Sequence, residues 1–194
     1  MCRNTMPKRN APLNDKSKRS HLASGRSTRT RAPDSIGKRG WDASLERICS
    51  YGLFEDRKSG QRFWVFNTHF DHMGKQARLE SAKLIVQKIA EKNYGKHYPV
   101  FITGDFNSKP EEDPAQYMIS KMQNCRQVSA LIYGPADTWN GFKFGEKPSG
   151  CIDYIFTSHH KDISVSKFAT ITDSYDMKYP SDHFPVMTTL RIEK

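Results

Sequence analysis

The sequence of 194 residues lacks the patterns of several common protein classes. Its four cysteines (Cys2, Cys49, Cys125 and Cys151) include no CxxC pair, which excludes a zinc ribbon and a thioredoxin-like redox motif and indicates scattered free thiols. The amino terminus has no apolar segment typical of a signal peptide, and no stretch approaches the roughly 18 apolar residues that a membrane span needs. We therefore expect no transmembrane segment, and a cytoplasmic location by default.

Acidic residues are scarce at the front of the chain. Residues 1–40 hold 11 Lys or Arg against two acids, whereas the remaining residues hold 20 against 19, so nearly all of the formal charge of +10 lies at the amino terminus. Residues 1–32 also show no period of 2 or 3.6, and we predict a basic disordered tail there. Such a tail attracts phosphate backbones, yet a solvated tail with no specific role explains it at least as well.

Apolar runs and helical periodicity predict one α/β domain after the tail, over residues 33–194. Residues 62–70 form a continuous apolar run that ends in polar residues, which is typical of a central strand covered on both faces. Residues 76–93 repeat apolar side chains at helical spacing and predict an amphipathic helix. Further strands are predicted at 99–103, 151–157 and 185–192, the last two joined by a polar segment, and a second helix at 114–121.

Asp153 and His183 could form a general base. Asp153 interrupts an apolar strand, so its carboxylate either meets a cation or a hydrogen-bonding partner or points outward into solvent, and both readings stay open. His183 lies in a turn fixed by two prolines, where a histidine is usually just solvated. If the two side chains meet, the carboxylate fixes the imidazole tautomer and stabilises the imidazolium, and hydrolysis by an activated water follows.

Hard oxygen ligands elsewhere in the chain indicate the kind of metal. Asp105 and Asn107 lie in a GDFN tetrapeptide after a predicted strand, a pattern that by itself is more often a plain turn, and Asp182 precedes His183. Carboxylate and amide oxygens suit Mg²⁺ or Mn²⁺ better than zinc. A zinc site built on the HxDH spacing of residues 69–72 is the less favoured alternative, because that spacing on a strand end does not place two imidazoles together.

Four segments in this order resemble the endonuclease/exonuclease/phosphatase superfamily, also called the DNase I-like fold. Each segment alone is weak, but the ordered combination is specific. The segments are NTHFDH (67–72), GDFN (104–107), GCIDYIF (150–156) and YPSDHFPV (179–186), and GWDASLERICSYGLF (40–54) is similar to a bacterial branch of the family. The resemblance implies a four-layer α/β/β/α sandwich, incomplete here at its amino-terminal side, with its site where the strand ends of both sheets meet.

The resemblance also implies metal-dependent phosphoester hydrolysis and a role for each matching residue. His183 would activate water, Asp153 would orient it, and Asp182 would support the site or the metal. His69 would hold the scissile phosphate. Asp105 and Asn107 would position the nucleophile or assist the leaving group, and Asp105 would also bind the metal. The loop with Thr138, Trp139 and Asn140 would border the substrate. For that loop, a turn with a packed Trp is an equally good reading.

One departure from the family pattern concerns the metal. The family domain opens with a strand carrying an Asn and then a Glu that binds the ion, and neither motif is found here. We therefore expect weaker metal binding and an open sheet edge that permits self-association, and we hypothesise that the tail replaces an authentic first half. The alternative function is a catalytically silent nucleic-acid-binding protein acting through the tail. The substrate stays open among DNA, RNA, phosphoinositides and sphingomyelin.

Overall fold

Two β-sheets and three helices make up the computed structural model, which describes residues 40–193. The predicted strands and helices are confirmed to within a few residues, except as noted below. The strands are β1 (Cys49–Glu55), β2 (Arg62–His69), β3 (Val100–Asp105), β4 (Gln123–Asn124), β5 (Leu131–Tyr133), β6 (Asp153–Thr157), β7 (Ile163–Thr170) and β8 (Val186–Ile192), and the helices are α1 (Lys75–Asn93), α2 (Asp113–Lys121) and α3 (Cys125–Val128).

The larger sheet has the order β1-β2-β3-β6-β4 and the smaller sheet the order β5-β7-β8. β2 and β3 are parallel, and α1 connects them, as a parallel pair requires a crossover connection. β6 then runs antiparallel to β3. This arrangement confirms the mixed α/β architecture with two sheets and brings the end of β2, the end of β3 and the start of β6 to one edge.

The main core lies between the larger sheet and the two longer helices. Alternate residues of β2, β3 and β6 face these helices, and aromatic rings from the sheet fill most of the space. The core includes Trp64, Phe66, Phe70, Val100, Ile102, Phe106, Tyr154 and Phe156 from the strands and their ends, with Ala82 and Ile85 of α1 and Ala115 and Met118 of α2.

The opposite face of the larger sheet corrects one prediction. β2 is central in the sheet, but it is not buried on both faces: Trp64, Phe66 and Thr68 are buried, whereas the residues between them are half-buried or exposed. The apolar run is continuous because the less covered face also carries apolar side chains. One of them is Phe63, which packs on the rings of Phe54 and Phe101.

Strand β7 corrects a second prediction. The segment between β6 and β8 was expected to be a polar connection, yet eight of its residues, Ile163–Thr170, pair with β8 and with β5. Apolar Ile163 and Val165 alternate with polar Ser164 and Ser166, which is the period-2 pattern of a strand with one exposed face. The sequence patterns also did not predict β1 or the short elements β4, β5 and α3.

The smaller sheet ends at β8, which has only β7 as a neighbour within residues 40–193. Self-association through an open edge stays a prediction. The basic tail predicted at residues 1–32 lies outside the described residues. None of the helices in the described part of the chain combines the length and apolar character needed to cross a membrane, as expected from the sequence.

Candidate active site

Three of the predicted site residues lie side by side on the larger sheet. The strand register pairs His69 of β2 with Asp105 of β3, and Asp105 in turn with Asp153 of β6. Neighbouring strands are about 4.8 Å apart, and paired residues point to the same face. The two longer helices cover the other face, so this row of side chains faces away from the main core.

Close approach of β2 and β3 depends on Gly104. Its φ is +149°, and a Cβ atom at this position would lie 1.9 Å from the backbone oxygen of Thr68. Only glycine avoids that collision. The glycine of the GDFN segment is therefore required by the backbone geometry that sets His69 beside Asp105.

Asp105 organises the turn that follows β3. Its Oδ1 accepts a hydrogen bond from the backbone N–H of Asn107 at 2.7 Å, and its Oδ2 lies 3.1 Å from Nε2 of His69. Asn107 has a left-handed backbone, with φ of 45°, and its side-chain amide donates to the backbone oxygen of Phe70 at 3.0 Å. The GDFN segment is thus a turn, as its composition predicts, and it also ties the ends of β2 and β3 together.

His183 reaches the same place from the segment before β8. Its Nδ1 lies 2.8 Å from Oδ2 of Asp153, and because a carboxylate only accepts, Nδ1 carries the proton. In the structure Asp153 thus has a hydrogen-bonding partner, as in the first of the two readings, and does not point outward into solvent. Nε2 of His183 stays available and lies 4.0 Å from Oδ2 of Asp105.

Thr138 is the contact that the sequence reasoning missed. Its hydroxyl donates to Oδ2 of Asp153 at 2.5 Å, on the oxygen that His183 also contacts, and Thr138 is 1% exposed. Its backbone oxygen accepts from the N–H of Phe184 at 2.7 Å. Thr138 was predicted to border substrate, whereas it holds the Asp153 carboxylate from behind and connects it to the residue after His183.

Burial and charge act in opposite directions on the Asp153–His183 pair. Burial alone would lower the pKa of His183, but the hydrogen bond and charge of Asp153, with the charges of Asp105 and Asp182, raise it overall. Burial raises the pKa of Asp153, and the hydrogen bonds from His183 and Thr138 oppose that shift. The imidazolium is therefore the form that this cluster of carboxylates stabilises.

The other predicted site residues lie in the loop beside His183. Trp139 forms an isolated backbone bridge to His183 and is 41% exposed, and Asn140 donates its backbone N–H to the oxygen of Asp182 at 2.8 Å. The Asn140 side chain is buried, and its oxygen accepts from the backbone N–H of Phe142 at 2.8 Å. Trp139 is thus on the surface of the site, whereas Asn140 shapes the loop.

A divalent ion has suitable ligands here. One ligand atom each from Asp105, Asp153 and His183 lies within 4.8 Å of the others, and no glutamate belongs to this group among residues 40–193. Proteins usually bind Mg²⁺ through one or two carboxylates, and waters and substrate phosphate fill its other positions, so two carboxylates are enough. A cleft of about 250 Å³ opens beside these residues and is lined by both sheets, with Thr103 and Ile155 on one side and Pro185 and Val186 on the other.

The alternative zinc site at residues 69–72 has no support in the structure. Asp71 is fully buried and its carboxylate accepts backbone N–H groups from Ser44, Leu45, Met73 and Gly74. These bonds hold the pKa of Asp71 far below its usual range, although burial alone would raise it. Asp71 therefore fixes the start of α1 and the segment before β1.

Comparisons with known proteins agree with this geometry. The sequence profile of the Endonuclease/Exonuclease/phosphatase family matches residues 13–183. Two solved structures from Bacteroides thetaiotaomicron are similar: an endonuclease/exonuclease/phosphatase family protein, 34% identical with a TM-score of 0.82, and a mannosyl-6-phosphatase, 34% identical with a TM-score of 0.81. The alignments cover 89% and 88% of this chain, and 66% of each solved chain.

Mouse nocturnin is 26% identical over 148 residues, which cover 69% of this chain and 34% of nocturnin. The chain thus spans about a third of the length of nocturnin and about two thirds of the bacterial structures. The family profile covers most of the chain, and the solved structures share its fold. The chain belongs to the endonuclease/exonuclease/phosphatase family.

Proposed function

We propose that this chain is a divalent-metal-dependent phosphoester hydrolase in which His183 activates the attacking water. The observation that carries the proposal is the 2.8 Å contact between Nδ1 of His183 and Oδ2 of Asp153. Because Nδ1 donates to the carboxylate, Nε2 has a free lone pair and accepts a proton from water. Asp153 then stabilises the imidazolium that forms.

Asp105 and Asn107 position the nucleophile in this proposal. Nε2 of His183 and Oδ2 of Asp105 are 4.0 Å apart, a separation that a single water bridges with normal hydrogen bonds. Asn107 donates its side-chain amide to Asp105 at 3.3 Å as well as to Phe70, which keeps the carboxylate oriented. The water is therefore aligned before the phosphate arrives.

His69 and Trp139 contact the substrate. The His69 side chain is 55% exposed and its Nε2 lies 3.1 Å from Oδ2 of Asp105, so the exposed part of the ring is open to a phosphoryl oxygen. Trp139 bridges His183 through its backbone, and its side chain is 41% exposed. Asn140 contributes indirectly, through the loop that carries Trp139.

Of the possible ligands Asp105, Asp153 and His183, Asp105 would hold the ion, Mg²⁺ or Mn²⁺, because Asp153 and His183 bind each other. Asp182, the other ligand predicted from the sequence, is not part of this group and acts on the site through its charge near His183. When bound, the ion would neutralise charge on the phosphoryl oxygens. The hard oxygens of Asp105 favour these ions over zinc. Replacement of Asp105 by Asn, which keeps the hydrogen-bonding shape and removes the charge, is expected to raise the metal concentration needed for half-maximal activity.

Hydrolysis of bis-p-nitrophenyl phosphate and p-nitrophenyl phosphate, with Mg²⁺ or Mn²⁺, tests the proposal. Turnover is expected to need metal and to be lost in His183→Ala. The matched control is His160→Ala, since His160 is also a histidine beside an aspartate, with Nδ1 3.7 Å from Oδ2 of Asp162, but lies outside the site. Equal activity in His183→Ala and the parent would refute the role of His183. No turnover by a folded chain would refute the hydrolase. Salt-sensitive nucleic-acid binding without metal would then favour the alternative function, nucleic-acid binding through the basic tail.

A sugar phosphate is the substrate class that the family comparison favours. The bacterial relative named as a mannosyl-6-phosphatase is 34% identical over 88% of this chain. The part of this chain outside the tail is also close to neutral, with 20 basic against 19 acidic residues after residue 40, which gives a polynucleotide backbone little attraction.

A further inference from the structure

Two loops beside His183 contain the same unusual turn. In residues 140–143 the N–H of Lys143 donates to the oxygen of Asn140 at 3.0 Å, and in residues 175–178 Tyr175 and Lys178 exchange backbone hydrogen bonds of 2.9 Å. Both central residues have positive φ in each turn: 59° and 61° at Gly141 and Phe142, and 48° and 56° at Asp176 and Met177. Positive φ at both central positions defines a type I′ turn.

The third position of each turn carries a large apolar side chain where Asn or Gly is normal. Left-handed backbone is unfavourable for Phe and Met, because the Cβ atom crowds the backbone. Neither side chain gains burial in return, since Phe142 is 62% exposed and Met177 is 73% exposed. Packing of the fold therefore does not account for these two residues, which makes them candidates for contact with a bound molecule.

Both turns are attached to residues that flank His183. The backbone N–H groups of Asn140 and Gly141 donate to the oxygen of Asp182 at 2.8 and 3.0 Å. On the other side, Tyr179 follows the second turn directly, and its ring lies 4.9 Å from the ring of Phe184. Phe142 and Met177 thus project from two loops that are both attached to the residues next to His183.

Charge on the two loops indicates what they accept. Residues 136–150 hold two acids and two lysines, and residues 171–182 hold three aspartates against one lysine. A net negative rim repels a chain of phosphates, which needs basic side chains along its path. Exposed apolar side chains next to carboxylate, amide and ammonium groups instead suit a neutral ring that has both C–H and hydroxyl surfaces.

We propose that the two type I′ turns form the leaving-group subsite and bind the ring of a sugar phosphate while its phosphate lies at His183. Phe142, Met177 and exposed Trp139 pack on the C–H faces of the ring, and the polar groups of the turns bond its hydroxyls. This inference rests on the proposed hydrolase function and its sugar-phosphate substrate class, and it adds the residues that select the ring.

The double variant Phe142→Asn, Met177→Gly tests the subsite. Both replacements put residues that tolerate positive φ into type I′ positions, so the fold is retained and its melting temperature does not fall. The measurement is the ratio of kcat/KM for mannose 6-phosphate to kcat/KM for ethyl phosphate, which has no ring. The ratio is expected to exceed 1 in the parent and to fall about tenfold or more in the double variant. Tyr94→Asn removes an exposed aromatic far from His183 and should leave the ratio as it is.

The outcomes separate the subsite from the hydrolase. An unchanged ratio in the double variant overturns the subsite, and so does a parent enzyme that prefers adenosine 5′-monophosphate to mannose 6-phosphate. If no ester is hydrolysed, the proposed function fails, and calorimetric titration with mannose 6-phosphate then decides the subsite alone. Binding weakened about tenfold in the double variant supports it, and absent or equal binding overturns it.

Discussion

Replacement of Asp153 by Asn is the most direct test of the catalytic pair. The substitution keeps the size of the side chain but removes the charge that Nδ1 of His183 contacts at 2.8 Å. A hydrogen bond to a charged group contributes about 1.5–3 kcal/mol. If that amount is lost in the transition state, where the imidazolium forms, kcat falls about 10- to 150-fold. KM should change little, because in the proposed arrangement Asp153 acts through His183 and not on the substrate.

The same substitution should shift the titration of His183. Asp153 is the main cause of its raised pKa, against burial, which acts to lower it. A general base works when neutral, so the rate of the parent rises with pH through a pKa above the ordinary value of about 6.5. In Asp153→Asn burial remains while the largest opposing charge is gone, and the acidic limb of the rate profile should move to lower pH.

Steady-state kinetics over a pH series and an NMR titration of the His183 ring measure these two effects. Asp162→Asn is the matched control, because Asp162 lies 3.7 Å from His160 outside the site, and its removal should affect neither quantity. If Asp153→Asn lowers kcat less than about threefold, or if the pKa of His183 rises instead of falling, the pair does not act as inferred here.

The remaining predictions concern the residues that hold the site in place. Gly104→Ala should destabilise the protein by about 3 kcal/mol or more in urea unfolding, since its Cβ would collide with a β2 carbonyl, and unchanged stability would contradict the required glycine. Asp71→Asn should cost about 2–3 kcal/mol at pH 7. Because folding lowers the pKa of Asp71, the stability that its carboxylate contributes is present above about pH 4 and is lost as the pH falls through the pKa of the folded protein. The melting temperatures of the parent and of Asp71→Asn should therefore converge in acid. Thr138→Val should lower kcat about 5- to 10-fold with KM unchanged, and Thr138→Ser should restore it. Burial raises the pKa of Cys49 to about 12, so iodoacetamide at pH 8 should label it only after unfolding.

Local sequence patterns predicted the elements whose side chains face one core. Periodicity placed α1 within one residue of its observed start, and apolar runs placed β2, β3, β6 and β8. β7 was missed because its first five residues are exposed or half-buried and include two serines and a lysine, so its composition resembles that of a loop. The very short β4 and β5 depend on pairing with distant strands, and no local pattern reports that pairing.

The candidate site followed from residue types, whereas its assembly did not. Asp105, Asp153 and His183 were identified as polar residues at strand ends, but only the register shows that Asp105 lies between His69 and Asp153. Thr138 gave no sequence signal for its contact with Asp153, because a threonine 15 residues away in a loop has no fixed geometry relative to a strand. A buried hydroxyl on a carboxylate is visible only in three dimensions.

Contact between the two sheets decides whether the catalytic pair forms at all. Asp153 belongs to the larger sheet and His183 to the segment entering the smaller one, yet the buried apolar contact between the sheets is small and centres on Ile155 and Phe168. So small a cluster cannot by itself fix a 2.8 Å hydrogen bond. The precision comes from Thr138, which bonds Asp153 through its hydroxyl and the backbone of Phe184 through its carbonyl. One loop residue thereby joins base and carboxylate across the sheets, which explains why this threonine is fully buried.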